Sequence, residues 1–159
     1  PNGIYDYKLR SPFRVNGNAS LILFKLATVS AGYEYVDYSN AELSAYDYNF
    51  FDENQEISQD LDAVHNFMAG AEFRFNTLYM RGGAQYLMSP YTDTQNNAES
   101  WVYSGGFGVR TPKVYFDMSY THYNRNEVYG MYSYQPGLNE VSLNEINSNN
   151  IMFTVGFRF

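Results

Sequence analysis

The chain has 159 residues, a net charge of −7 from 10 Lys+Arg and 17 Asp+Glu, no cysteine, and 19% aromatic residues, among them Tyr 17 and Phe 12. A spanning helix needs ~20 consecutive apolar residues. No run here approaches that, so helical membrane proteins are excluded, but a membrane β-barrel, whose lipid face occupies alternate positions, is not. The negative balance argues against nucleic acid as a partner, and without cysteine there is neither a disulfide framework nor a thiolate metal site.

The chain opens at Pro1-Asn2-Gly3 with no Met and no signal peptide. The expectation is that export has removed a leader or that the chain is a piece of something longer. Residues 1–11, with Tyr5, Asp6, Tyr7 and Lys8, read as the end of an extracellular loop, with a weak eighth strand as the alternative.

From residue 12 onward, period-two alternation dominates. On a strand, successive side chains face opposite sides. Residues 12–24 set Phe13, Val15, Leu21 and Leu23 against Arg14, Asn16, Asn18 and Ser20. Residues 26–38 set Val29, Ala31, Tyr33 and Tyr35 against Thr28, Ser30, Gly32 and Glu34. Residues 65–75 set Phe67, Ala69, Phe73 and Phe75 against Met68, Gly70, Glu72 and Arg74. Residues 78–88 set Leu78, Met80, Ala84 and Tyr86 against Tyr79, Arg81, Gly83 and Gln85. Residues 100–110 set Trp101, Tyr103, Phe107 and Val109 against Ser104, Gly106, Gly108 and Arg110. Residues 114–123 set Val114, Phe116, Met118 and Tyr120 against Tyr115, Asp117, Ser119 and Thr121. The last segment, 148–159, sets Ile151, Phe153, Val155, Phe157 and Phe159 against Met152, Thr154, Gly156 and Arg158. These seven predicted strands have about the length that crosses a bilayer at a tilt.

The apolar face is rich in aromatic residues near strand ends, as in interfacial girdles. The polar face is rich in Gly and Ser with a few charges, which suits a crowded lumen better than a solvated sandwich face. The fold expected is therefore all-β, an antiparallel transmembrane β-barrel in the bacterial outer membrane, with lipid and lipopolysaccharide as its surroundings.

Connections alternate in length. Phe24-Lys25, Asn76-Thr77 and Thr111-Pro112-Lys113 read as tight turns, while 39–64, 89–99 and 124–147 read as long loops. Short periplasmic turns and long extracellular loops are the outer-membrane pattern. Within 39–64 the charges are all acidic (Glu42, Asp47, Asp52, Glu53, Glu56, Asp60 and Asp62), whereas Lys25, Arg74, Arg110, Lys113 and Arg158 gather at the tight-turn end. Such an acidic loop is either a solvated face or a place for divalent cations near lipopolysaccharide. Ile57, Leu61 and Val64 have helical spacing, which predicts a short helix over 54–64, and Pro136-Gly137 predicts a turn. If the last strand runs toward the periplasm, the first of the seven starts outside. A single-chain bacterial barrel has an even strand count, so the expectation is half of a larger barrel, residues 12–159 being its C-terminal half.

The ordered segments Tyr33-Glu34-Tyr35-Val36-Asp37-Tyr38-Ser39, Gly70-Ala71-Glu72-Phe73-Arg74-Phe75, Met80-Arg81-Gly82-Gly83-Ala84-Gln85-Tyr86 with Ser89-Pro90, and Thr154-Val155-Gly156-Phe157-Arg158-Phe159 carry a resemblance. Across roughly residues 10–159 the chain resembles the C-terminal half of the OmpP1/FadL/TodX family, in a Bacteroidota-like style. That family consists of outer-membrane transporters of long-chain fatty acids and other hydrophobic compounds. The resemblance implies a 14-stranded barrel whose plug and lateral opening lie in the other half. It also implies passive uptake of a hydrophobic small-molecule ligand. The alternative is a non-transporting FadL-like barrel serving as a partner subunit of an outer-membrane secretion or assembly complex.

By parity, Arg14, Glu34, Glu72, Arg74, Arg81, Arg110, Asp117 and Arg158 face inward. A hairpin closing at Asn76-Thr77 places Glu72 opposite Arg81. Such a pair neutralises charge and pins register. The functional counterpart is an unpaired lumen cation, Arg81 or Arg14, meeting a fatty-acid carboxylate. In the outer loops, Tyr46, Tyr48, Phe50 and Phe51, with Tyr129, Met131, Tyr132 and Tyr134, are either the packing core of folded loops or a first site for ligand or partner. Catalysis has little support: Ser119 and His122 face opposite sides of one strand, and His65 shares the parity of Phe67. Two separated histidines suggest no metal site, and no cofactor or nucleotide motif is present. The expectation is a non-enzyme.

Overall fold

The structure, a computed structural model, describes residues 6–93, 97–135 and 138–158, with the side chains of these except 128–143. It is an all-β, antiparallel chain. Strands β1 (Lys8–Arg10) and β4 (Glu42–Ser44) form a two-stranded sheet. The seven others form one sheet: β2 (Phe13–Leu23), β3 (Ala27–Asp37), β5 (Ala63–Phe75), β6 (Leu78–Leu87), β7 (Ser100–Arg110), β8 (Val114–Gln135) and β9 (Leu138–Phe157). Each strand of that sheet pairs with its sequence neighbour, and β2 and β9 are its two edges.

The registers keep the two faces separate across the whole sheet. Ser20, Ser30, Gly70, Gly83, Ser104, Thr121 and Asn150 lie in one transverse row. Leu21, Val29, Ala71, Gly82, Gly105, Tyr120 and Ile151 lie in a row on the opposite face. A register slip of one residue would move every side chain to the wrong face. The apolar face is bare: Phe153 is 61% exposed and Phe157 66%, so no second sheet covers them.

The tight turns follow local chemistry. Phe24 (φ 49°) and Lys25 (φ 60°) both take left-handed conformations, the mark of a type I′ hairpin turn. The turn is closed by the Leu26 amide donating to the Leu23 carbonyl at 3.0 Å. At Thr111, the side-chain oxygen bridges the amide and carbonyl of Val114.

Among the described residues, the buried side chains are those of Val36, Val64, Asn66 and Ser100, and Gly108 is buried under the Asp117 carboxylate. The four side chains belong to the polar face near the long-loop end: Val36 is opposite Val64, and Ser100 is opposite Leu87. Above them, helix α1 (Phe51–Asp60) packs on the 3-10 turn Tyr38–Asn40, which packs on β5. The small core thus lies where the first long loop folds over the polar face.

Three expectations about boundaries are corrected. Of residues 124–147, expected as a loop, 124–135 continue β8 and 138–147 belong to β9, paired as a two-stranded ribbon. Irregularities between Gly130 and Tyr132 and between Ser133 and Gln135 break the period of two, so alternation fades although pairing persists. The helix spans Phe51–Asp60 rather than 54–64. Asp52 and Glu53 sit in its first turn, where negative charge suits the helix dipole. Leu61 instead bridges to Tyr91 and Val64 pairs with Val36, so β5 begins at Ala63. Residues 8–10, read as the end of a loop or as part of an eighth strand, form a short strand paired to the first long loop, outside the seven-stranded sheet. Pro136, Gly137 and Phe159 lie outside the described residues.

Candidate functional site

Two places gather functional side chains. The first is a hollow of about 670 Å³ on the polar face. Its floor is made of small residues, including Ser30, Gly70, Gly83, Ser104 and Gly106, and Glu72, Arg74, Arg81 and Asp117 stand along it. Glu72 accepts two guanidinium bonds, from Arg81 Nε and Arg74 Nε, both at 2.6 Å. Arg81 Nη1 is 3.3 Å from Asp117 Oδ1, and Arg110 Nη2 is 3.7 Å from Asp117 Oδ2. Tyr79 lies between the outer two cations: its ring centroid is 4.6 Å from Arg110 Cζ and 5.9 Å from Arg74 Cζ. The sequence Arg74, Glu72, Arg81, Asp117, Arg110 is one chain of alternating charge. Three guanidinium groups and two carboxylates (3 − 2) leave one positive charge in it.

Glu72 faces Arg81 in register, as the turn at Asn76-Thr77 requires. Arg81 is not an unpaired cation, because it is held by both Glu72 and Asp117. Arg14 is not unpaired either: its Nη1 is 3.7 Å from Glu34 Oε2. Glu34 Oε1 also accepts from Asn66 Nδ2 at 3.0 Å, while Asn66 Oδ1 accepts the Met88 amide at 3.1 Å. The buried Asn66 and the ring of Tyr79 are participants that charge counting misses. Their parity alone would have placed both on the polar face.

The histidines lie on the other face. Tyr33 Oη and His65 Nδ1 are 2.7 Å apart, and His122 Nδ1 is 2.8 Å from Asn149 Oδ1. Ser119 lines the hollow on the opposite side of β8 from His122.

The second place is in the first long loop. Asp6, Tyr7, Ala45, Tyr46, Asp47, Tyr48, Phe50 and Glu53 line a pocket of about 640 Å³. Tyr48 donates to Glu53 Oε1 at 2.6 Å, and its ring meets Phe50 edge-on, with centroids 4.7 Å apart. The Tyr48 bond holds the Glu53 carboxyl below the usual carboxylate range and pushes the Tyr48 phenol up. Of the predicted loop aromatics, Tyr46, Tyr48 and Phe50 come together here. Phe51 is exposed on α1 and is not part of the pocket. The side chains of Tyr129, Met131, Tyr132 and Tyr134 lie outside those described. Asp6 and Tyr7, read only as loop tail in the sequence, complete the pocket.

The acidic residues of this loop are not gathered for a metal ion: among the described residues, no group of three or more His, Asp or Glu side chains converges. No family model, curated protein or solved structure matches the chain.

Proposed function

We propose that these seven strands are part of an outer-membrane β-barrel that passively conducts hydrophobic small molecules, with long-chain fatty acids as the substrate class its FadL-like motifs imply. The bare apolar face carries this reading. An open sheet with Phe73, Met80, Phe107 and Phe153 in one exposed row would aggregate in water, and lipid is the solvent that suits it. The cap over the polar face at the long-loop end supports the same orientation. Lipid cannot hydrogen-bond the edges of β2 and β9, so closure by further strands belongs to the proposal. Uptake would proceed from the outer loops into the barrel and out through a wall gap or the periplasmic end.

A second reading, a barrel that serves as a partner subunit of a larger outer-membrane complex, is favoured by one observation. The charges along the hollow pair with one another, which leaves no single guanidinium free to meet a fatty-acid carboxylate. Uptake of fluorescently labelled oleate into liposomes carrying the whole protein separates the two. Uptake several-fold above empty liposomes is expected for a transporter. Uptake at the empty-liposome rate, with stable co-purification of other outer-membrane proteins, would replace that reading with the second.

A further inference from the structure

The net charge of −7 is unevenly placed along the strands. From the Glu72–Arg81 row to the tight turns stand six cations, Lys25, Arg74, Arg81, Arg110, Lys113 and Arg158, and two carboxylates, Glu72 and Asp117, a balance of +4. The other four cations and fifteen carboxylates lie toward the long loops and leave −11. Arg74, Arg81 and Arg110 are engaged inside the hollow with Glu72 and Asp117. Lys25, Lys113 and Arg158 are not: all three are exposed, and among the described residues no carboxylate pairs with them.

The backbone sets these three cations on the border of the bare apolar face. Lys25 turns the chain from β2 into β3, between the exposed Leu23 and Leu26. Lys113 leads into β8 and Arg158 follows β9; the Arg158 amide donates to the Lys113 carbonyl at 2.8 Å, so the two residues are neighbours. The exposed pair Val114 and Phe157 adjoins them. Each cation thus ends a column of exposed apolar side chains. That order, hydrocarbon first and then an unpaired cation on a flexible stem, matches a phospholipid leaflet read from acyl chain to headgroup. An acidic protein would need these charges in one patch, but β5 and β6 separate the β2–β3 turn of Lys25 from the β7–β8 turn of Lys113. A layer of headgroups meets both at once.

We propose that the tight-turn rim seats among anionic phospholipid headgroups, with Lys25, Lys113 and Arg158 meeting their phosphates while the apolar residues beside them rest on the acyl chains. The inference rests on the lipid-facing reading of the apolar face and not on transport. The carboxylates at the opposite end are repelled by the same lipids, so the charge separation would turn the rim toward the leaflet richer in anionic phospholipid.

The test is a titration of the whole protein, folded in a nonionic detergent, with phosphatidylglycerol or with phosphatidylcholine of the same chains, the bound lipid being counted by native mass spectrometry. Tighter retention of phosphatidylglycerol is expected, although the net charge of −7 by itself favours the neutral lipid. Lys25→Gln, Lys113→Gln and Arg158→Gln together should weaken phosphatidylglycerol binding, about fivefold for each cation that a headgroup meets, and leave phosphatidylcholine unchanged. Raised salt should act in the same way. Equal retention of the two lipids, or a phosphatidylglycerol preference that survives the triple substitution, would overturn the proposal. Insertion into phosphatidylcholine vesicles, followed by the electrophoretic shift on heating, tests the lipid-facing reading separately. Insertion without a phosphatidylglycerol preference removes this proposal alone, and failure to insert removes both.

Discussion

Arg81 and Asp117 stand on β6 and β8, two strands apart, yet Arg81 Nη1 and Asp117 Oδ1 are 3.3 Å apart. The strand between them makes this possible. Arg81 lies opposite Gly106 and Asp117 opposite Gly108, so β7 presents no side chain in the way. The Asp117 carboxylate lies so close over Gly108 that a Cβ there would collide with it.

Replacing that glycine should therefore break the charge chain. Gly108→Ala must push the Asp117 carboxylate away from both Arg81 and Arg110. The expected loss is about 1–3 kcal/mol, mostly from leaving partly buried charges without partners. Urea unfolding of the folded protein, followed by Trp101 fluorescence, measures it. A midpoint equal to wild type would mean the carboxylate has an alternative position of equal energy. Gly17→Ala, where a Cβ meets nothing within 4 Å, is the matched control.

Neighbouring residues on β9 should respond oppositely to the same charge. Ile151 shares the apolar row with Tyr120, whereas Asn150 shares the polar row with Thr121. Ile151→Lys should cost about 2–4 kcal/mol if it meets the middle of a bilayer, and Asn150→Lys under about 1. Folding titrations into liposomes give both values. Equal costs at the two positions would remove lipid from the apolar face.

The Phe24-Lys25 turn should be improvable. Left-handed backbone costs a non-glycine residue roughly 1–2 kcal/mol, and both residues carry it. The double substitution Phe24→Asn and Lys25→Gly installs the pair that type I′ turns prefer. A gain of about 1 kcal/mol or more in the urea midpoint is expected. A loss would mean that the exposed Phe24 ring is anchored by something outside the chain.

The Tyr48–Glu53 contact sets a pH response for the loop. Because the folded carboxyl titrates below its unfolded value, its contribution is complete above the ordinary carboxylate pKa and is lost as pH falls through the lowered folded value. The protection factors of the amides over residues 48–54 should thus hold from neutral pH down to the usual carboxylate range and fall only below it. Tyr48→Phe, which removes the hydroxyl, should move the Glu53 titration upward in a carbon-detected carboxyl experiment. An unmoved titration would assign the depression to the other contributor, the backbone of Glu53 itself.

How far the chain can be read without coordinates depends on which physical signal each part uses. The sheet was legible because one apolar and one polar face repeat in every segment, as in Phe67, Ala69, Phe73 and Phe75 against Met68, Gly70, Glu72 and Arg74. Even the Glu72–Arg81 pair followed, since a two-residue turn fixes register. Arg81 reaching Asp117 did not follow, because it depends on the missing side chains of Gly106 and Gly108 rather than on strand neighbours. Helical spacing misplaced α1, since Leu61 and Val64 fit an i, i+3 pattern while serving a bridge and a strand. The loop pocket was visible only in part: Tyr46, Tyr48 and Phe50 announced it, but its far wall comes from Asp6 and Tyr7, brought there by the pairing of β1 with β4.

One element has a reach that its neighbours lack. Beyond Arg125, which pairs with the first residue of β7, β8 continues to Gln135 with only β9 beside it. At ~3.3 Å per residue this two-stranded mast rises roughly 33 Å past the rim. Anything approaching that end of the molecule would touch the mast before the seven-stranded sheet. Isolated ribbons of this kind are only marginally stable in water, so a third strand laid along Asn126–Gln135 would stiffen the mast more than any strand added to the seven-stranded sheet.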